Sequence, residues 1–251
     1  MKALITGASS GIGREFARLL HARGYELILV ARRENRLKEL SEELGCNARI
    51  IELDLSKKEN CYKLYDMTKD DGVDLLINNA GFAVFGEFTE IDLERELEMI
   101  DVNIVAVDIL MKLFLRDFEK RNSGRIFNVA SAAAFMPGPL LSTYYATKAY
   151  VLRLTEASAY ELKRKGSAVY VGAFCPGPVD TEFNQTAGVN FSIKGLDAKK
   201  AADYALKKMF AGKVTIVAGT MMRIGCFFTR LMPKSVILPI SYSIQRRKDG
   251  R

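Results

Sequence analysis

The chain has 251 residues, 49% of them apolar and 27% charged, enough for one globular α/β domain with a sizeable core. Its formal charge of +7 is lopsided. Residues 221–251 hold Arg223, Arg230, Lys234, Arg246, Arg247, Lys248 and Arg251 against Asp249 alone, a net of +6 that leaves +1 for the first 220 residues. A main body so nearly neutral, with no base-stacking motif, excludes nucleic acid as the partner. One histidine, His21, and four scattered cysteines, Cys46, Cys61, Cys175 and Cys226, build no zinc-type ligand set, so no catalytic metal is expected. No uninterrupted run of about 18 apolar residues would span a bilayer. Four cysteines could make two bridges, but a start inside a strand, with no signal segment, points to the reduced cytoplasm.

An apolar strand over 2–6 runs directly into Gly7-Ala-Ser-Ser-Gly11-Ile-Gly13, and Ile12, Phe16, Leu19 and Leu20 then repeat at helical spacing over 12–23. Strand, glycine turn and helix are the parts of a dinucleotide site. Glycines let the backbone approach a pyrophosphate whose charge sits at the helix N-terminus. The spacing is Gly-x-x-x-Gly-x-Gly rather than Gly-x-Gly-x-x-Gly. A second strand, 26–30, ends at Arg32 and Arg33, where an NAD site would place an acid for the ribose 2′-hydroxyl. Guanidinium forks match a phosphate, so the chain is expected to prefer NADP(H) over NAD(H).

Helix 34–44, strand 49–53, helix 59–69, strand 74–77, helix 89–120, strand 125–130, helix 142–165, strand 168–174, helix 198–210 and strand 214–218 follow. The regular alternation predicts a single doubly wound Rossmann-type α/β domain with about seven mainly parallel strands, covered on both faces.

Tyr144-Tyr-Ala-Thr-Lys148, on the helix 142–165, sets a phenol and an ammonium one turn apart, with Ser131 thirteen residues upstream. A phenol titrating near 10 is a poor acid at neutral pH; a close cation favours the phenolate and lets it exchange a proton. Tyr145 adjoins Tyr144 but points about 100° away around the helix, so it is expected to pack or border the substrate.

Taken together, Thr6–Gly13, Asn78-Asn79-Ala80-Gly81, Asn103 in Asp101-Val-Asn-Ile-Val, Ser131, Tyr144, Lys148 and Pro176-Gly-Pro-Val-Asp-Thr181 resemble the motifs of the short-chain dehydrogenase/reductase family, in that family's order. The resemblance covers nearly the whole chain. It implies that Tyr144 is the acid/base and that Lys148 lowers its pKa and binds the nicotinamide ribose. Ser131 would hold the substrate oxygen, and Asn103 would position water in a proton relay. Cofactor contacts are implied for Gly7, Ser9, Ser10, Gly11, Ile12, Gly13, Arg32, Arg33, Asp54, Leu55, Asn79, Ala80 and Gly81. Asp54 would bond the adenine, and Asn79, Ala80 and Gly81 would line the ribose and nicotinamide side. Pro176, Gly177, Val179 and Thr181 would cover the nicotinamide, Thr181 at its carboxamide. A homo-oligomer built through helices 89–120 and 142–165 is also implied. Cys175, beside that cover, is read as packing.

Phe82, Val84, Phe85, Ala133, Phe135, Met136, Leu140, Phe183 and Phe191 are expected to face a small-molecule carbonyl or alcohol substrate. They carry little charge, which suits an apolar ketone, aldehyde or acyl chain, including a 3-oxoacyl thioester. Residues 180–196 are expected to form a lid. The basic, apolar segment 221–251 has three readings: a peripheral contact with an anionic membrane, a steering surface for an anionic substrate carrier, or a cover for the pocket or a subunit interface. A cofactor-binding sensor or scaffold without turnover is the alternative to an enzyme.

Overall fold

A computed structural model describes residues 1–183 and 195–246. Seven strands, β1 (Lys2–Thr6), β2 (Glu26–Ala31), β3 (Arg49–Glu52), β4 (Leu75–Asn78), β5 (Arg125–Val129), β6 (Tyr170–Cys175) and β7 (Thr215–Val217), form one sheet. Every pairing is parallel and the order is β3-β2-β1-β4-β5-β6-β7, so the direction of winding reverses beside β1. Strands covered on both faces favour unbroken apolar runs, and β4 carries one: Leu75, Leu76 and Ile77 are all fully buried ahead of Asn78.

Alternation along each strand feeds two cores. Ala3 and Ile5 of β1 pack with Phe16, Leu20, Phe127, Phe174 and Met209, whereas Leu4 packs with Ile28, Leu64, Phe114 and Leu162. The first layer is completed by α1 (Gly11–His21), α2 (Glu34–Glu43) and α7 (Ala198–Phe210). The second is completed by α3 (Lys58–Thr68), α5 (Ala106–Lys120) and α6 (Ser142–Arg164).

Two departures from the sequence reading bear on the site. The helix expected over 89–120 starts later, as α4 (Leu93–Ile100), where the Asp92 carboxylate caps the Arg95 amide at 2.9 Å. A π-helical turn over Asp101–Val105 then precedes α5. The apolar tail folds as two helices, α8 (Thr220–Phe228) and α9 (Lys234–Arg246), the latter containing Pro239.

The span read as a lid has its two ends tied together. Asp180 donates to the Leu196 carbonyl at 3.1 Å, and Leu196 donates to the Pro178 carbonyl at 2.9 Å. Residues 184–194 between them, with Phe191, lie outside the described residues.

Candidate active site

The glycine turn after β1 is shaped by close approach. A Cβ on Gly13 would stand 2.4 Å from both the Gly7 carbonyl oxygen and Asn79 Nδ2, and one on Gly7, at φ +66°, would stand 2.8 Å from Ala80 Cα. Asn79 Nδ2 donates to the carbonyls of Thr6 (3.0 Å) and Gly7 (3.1 Å), while Thr6 Oγ1 accepts from the amides of Asn79 and Ala80, both at 3.0 Å. Asn79 therefore clamps the turn rather than simply lining it. Helix α1 opens at Ser10 with no side-chain cap and no acid in its first turn. Such an N-terminus leaves amides and a positive dipole end for an anion, which fits a dinucleotide pyrophosphate.

At the end of β2 the two arginines diverge. Arg33 donates to Ser9 Oγ at 3.3 Å and pairs with Glu182 at 3.0 Å; Arg32 turns to Glu98 on α4 at 3.1 Å. Glu182 also pairs with Arg36, whose hydrogen bond, outweighing partial burial, holds the carboxyl below its usual range. Sequence reasoning missed Arg36 and Glu182. Arg36 stands one helical turn after Arg33, a spacing that could have flagged it. Asp54 accepts from the Ser56 amide at 3.1 Å within its own turn, and Leu55 is packed into the core around Cys61 and Leu64.

The catalytic candidates lie close together, and two of them, Asn103 and Lys148, meet at Gly81. Tyr144 stands beside Ser131, whose Oγ accepts from the Ala133 amide at 3.1 Å at the start of a 3-10 turn, Ala132–Phe135. Lys148 Nζ lies 5.9 Å from the centre of the Tyr144 ring and donates to the Val129 carbonyl at 2.9 Å. A Cβ on Gly81 would stand 2.8 Å from Asn103 Oδ1 and 3.4 Å from Lys148 Nζ, so only a bare Cα lets these groups meet. Asn103 projects from the π turn, fully buried, and bonds to the Phe82 carbonyl (2.9 Å), the Phe82 amide (3.1 Å) and Thr147 Oγ1 (3.1 Å). Single π turns recur where a helix must aim a residue at a site.

Burial governs the titration here. It pushes the Lys148 ammonium down to about 8, opposed only by the neighbouring Cys175. It also pushes the Tyr144 phenol up, against the Ser131 hydrogen bond, and Lys148 is not among the influences. The sequence suggested a phenol lowered by Lys148; desolvation sets the direction instead. Cys175 is fully buried and its thiol is pushed up by desolvation, as suits packing.

Above the site, the Pro176 carbonyl accepts from the Ala132 amide at 2.8 Å, Gly177 faces Met222 of α8, and Val179 is buried. Thr181 lies over the glycine turn, 3.0 Å from where a Gly11 Cβ would be.

Among the residues expected to face substrate, Phe85, Ala133, Met136 and Phe183 cluster with Tyr144, the Tyr144 and Phe183 rings 5.6 Å apart. Leu140, at a left-handed φ of +65°, accepts the Gly86 amide at 2.9 Å. Phe82 and Val84 pack with Met99 and Val102 in a second cluster that Tyr144 also joins, and Arg95 stacks 4.1 Å over the Phe82 ring. Phe135 is covered from outside by Arg230, 5.5 Å above its ring. Tyr145 packs its ring on Gly138 and bonds its hydroxyl to Gln245 of α9, bordering an open cavity of about 420 Å³ that Met136, Ser142 and Lys234 also line.

A parallel, doubly wound sheet with a clamped glycine turn beside its winding reversal defines a dinucleotide-binding fold. Known proteins agree. The short chain dehydrogenase family profile matches residues 1–190. An uncharacterised oxidoreductase of Staphylococcus epidermidis is 36% identical over 210 residues, covering 81% of this chain and 90% of its own. A short-chain dehydrogenase from Sphingobium yanoikuyae, solved with NADPH, superposes with a TM-score of 0.82 at 30% identity, covering 92% of this chain and 93% of its own. A short-chain dehydrogenase/reductase from Burkholderia phymatum, solved with NAD, gives 0.80 at 25% identity over 90% and 91%. The chain belongs to the short-chain dehydrogenase/reductase family of nicotinamide-dependent oxidoreductases. Its described helices include none long and apolar enough to cross a membrane.

Proposed function

We propose that the protein is an NADP(H)-dependent carbonyl reductase or alcohol dehydrogenase acting on an apolar substrate, with 3-oxoacyl thioesters among the candidates. The observation that carries this reading is the grouping of Tyr144 with Ser131 and Lys148, where Lys148 and Asn103 meet over the bare Cα of Gly81. Bound NADPH would supply the hydride. Tyr144 would give its proton to the carbonyl oxygen while Ser131 donates a second hydrogen bond to that oxygen. A phenol raised by burial starts in the protonated form, ready to act as the acid in reduction. Lys148, hydrogen-bonded to the Val129 carbonyl, would hold the ribose and lend positive charge as the phenolate forms. Asn103 would join the proton path behind Lys148.

Gly7, Ser9, Ser10, Gly11, Ile12 and Gly13 would receive the pyrophosphate and adenosine phosphate side, with Thr181 over them. Arg33 and Arg36, close enough to share one carboxylate, support a 2′-phosphate site and hence NADP(H) over NAD(H). Phe85, Met136 and Phe183 around Tyr144 support an apolar substrate. The span 180–196 would act as its lid. A homo-oligomer through α5 and α6 is part of the same reading, and Tyr150 and Tyr160 are exposed on α6.

Turnover of NADPH and NADH at equal concentration, with ketones and oxoacyl thioesters, tests the reading. The expected result is NADPH-dependent reduction that Tyr144→Phe abolishes and Tyr145→Phe retains. Tight NADPH binding without turnover of any carbonyl would instead mark a sensor, and faster turnover with NADH would overturn the cofactor assignment.

A further inference from the structure

Helix α9 is built inside out. A helix on the surface of a globular protein normally turns its apolar stripe inward. Here the buried positions are Ile237, Ser241 and Gln245, two of the three polar. Ser241 donates to the Pro137 carbonyl at 3.1 Å and Gln245 bonds to Tyr145. Facing outward are Val236, Leu238, Ile240, Tyr242 and Ile244. Helix α8 does the same: Cys226 is buried while Ile224, Phe227 and Phe228 are exposed, and Leu231 of the connection is 66% exposed.

The charges on this surface are of one sign. From Thr220 to Arg246 there are four cations, Arg223, Arg230, Lys234 and Arg246, and no acid. None of the four has an ion pair among the described residues. Exposed apolar side chains interspersed with cations that make no ion pair among the described residues mark an interaction site, and its chemistry restricts the occupant. A second copy docked by two-fold symmetry would set cations against the same cations, with no acid on either side to relieve them. An anionic bilayer surface accommodates both features at once, taking the aromatic and aliphatic side chains among its acyl chains and the guanidinium and ammonium groups among its headgroups.

We propose that α8 and α9 form a peripheral membrane-binding surface for anionic lipid. The inner faces of the two helices stay on the catalytic domain: Met222 lies against Gly177, Thr229 donates to the Phe135 carbonyl at 3.3 Å, and Gln245 holds Tyr145. The protein would thus lie on the bilayer with the substrate side of the domain next to the lipid.

Co-sedimentation of the full chain with vesicles tests this without any turnover. The vesicles are phosphatidylcholine alone, or phosphatidylcholine with about 30% phosphatidylglycerol, at about 50 mM and about 500 mM salt. Binding is expected to the anionic vesicles at low salt and to weaken at high salt. Phe227→Ser with Leu231→Ser, and separately Arg223→Glu with Lys234→Glu, should each lower the partition coefficient about tenfold or more, with melting temperature unchanged because these side chains are exposed. The chain has no tryptophan, so Ile240→Trp adds a single reporter whose emission should shift to the blue on anionic vesicles. No pelleting with anionic vesicles, or an unshifted emission, overturns the proposal. So does a dimer in sedimentation analysis that Phe227→Ser with Leu231→Ser dissociates while vesicle binding is absent, which would assign the surface to a second copy.

Discussion

Replacing Lys148 with methionine should make the protein more stable while destroying its chemistry. In the folded chain the ammonium is enclosed, 5% exposed, and its pKa falls from 10.5 to about 8. A depressed lysine pKa means that folding disfavours the charged form, a cost of about 3 kcal/mol for a shift of this size. The sign follows from proton counting. Below pH 8 both folded and unfolded chains carry the charge, so the full cost is present. Between pH 8 and 10.5 the unfolded chain binds the extra proton, so stability rises with pH and the cost fades by about 1.4 kcal/mol per unit. Methionine keeps the length and removes the charge, but it forfeits the 2.9 Å bond to the Val129 carbonyl, worth about 1 kcal/mol. The net expectation at pH 7 is a gain of about 2 kcal/mol, or a melting temperature higher by about 4–8 °C for a chain of this size. Urea titrations of both proteins without nucleotide, at pH 7 and pH 9.5, measure it. Lys148→Met less stable than the parent at pH 7, or a difference that does not shrink towards pH 9.5, would refute the account of an uncompensated buried ammonium.

Three further outcomes can be measured. Gly13→Ala forces a methyl to 2.4 Å from the Gly7 carbonyl oxygen and Asn79 Nδ2, so a loss of about 1–3 kcal/mol in urea and at least tenfold weaker nucleotide binding by calorimetry are expected. Unchanged affinity would show that the turn takes no phosphate. Glu182→Gln frees Arg33 and Arg36 from a competing carboxylate; because the pairs are largely exposed, the NADPH KM should fall only several-fold, with NADH little affected. A rise in that KM would contradict a phosphate role for the two arginines. Tyr145→Phe leaves Gln245 short of a buried partner and should cost about 1–2 kcal/mol of stability in thermal melts, yet keep turnover within a few-fold. Loss of turnover would move Tyr145 into the chemistry.

Much of the framework was legible because it rests on local signals. Apolar runs with no polar alternation announce strands covered on both faces, as Leu75–Ile77 are, and the strand–glycine–helix order at Thr6–Gly13 needs no distant contact to be recognised. What the sequence could not show depends on residues brought together from afar. Asn79 as the clamp of the glycine turn requires β4 to lie beside β1. Glu182, 149 residues after Arg33, becomes its partner only when the chain returns over the cofactor side. The direction of the Tyr144 shift was missed for a related reason. Spacing places a cation one turn away, but desolvation is a property of the closed site and it dominates. The tail's composition was plain, whereas its inverted faces emerged only once Tyr145 and Pro137 were seen to capture Gln245 and Ser241.

The earliest of the seven strands in chain order is also one of the most central. β1 has β2 on one side and β4 on the other, so its second edge stays unpaired until Leu75–Ile77 leave the ribosome some seventy residues later. A nascent chain would therefore carry Ala3, Leu4 and Ile5 with one open hydrogen-bonding edge for several seconds at ordinary elongation rates. Codon changes that slow the synthesis of residues 30–75 would prolong that exposure and raise aggregation without altering the finished domain. The glycine turn inherits the delay, because Asn79, which closes it, arrives just after the same late strand.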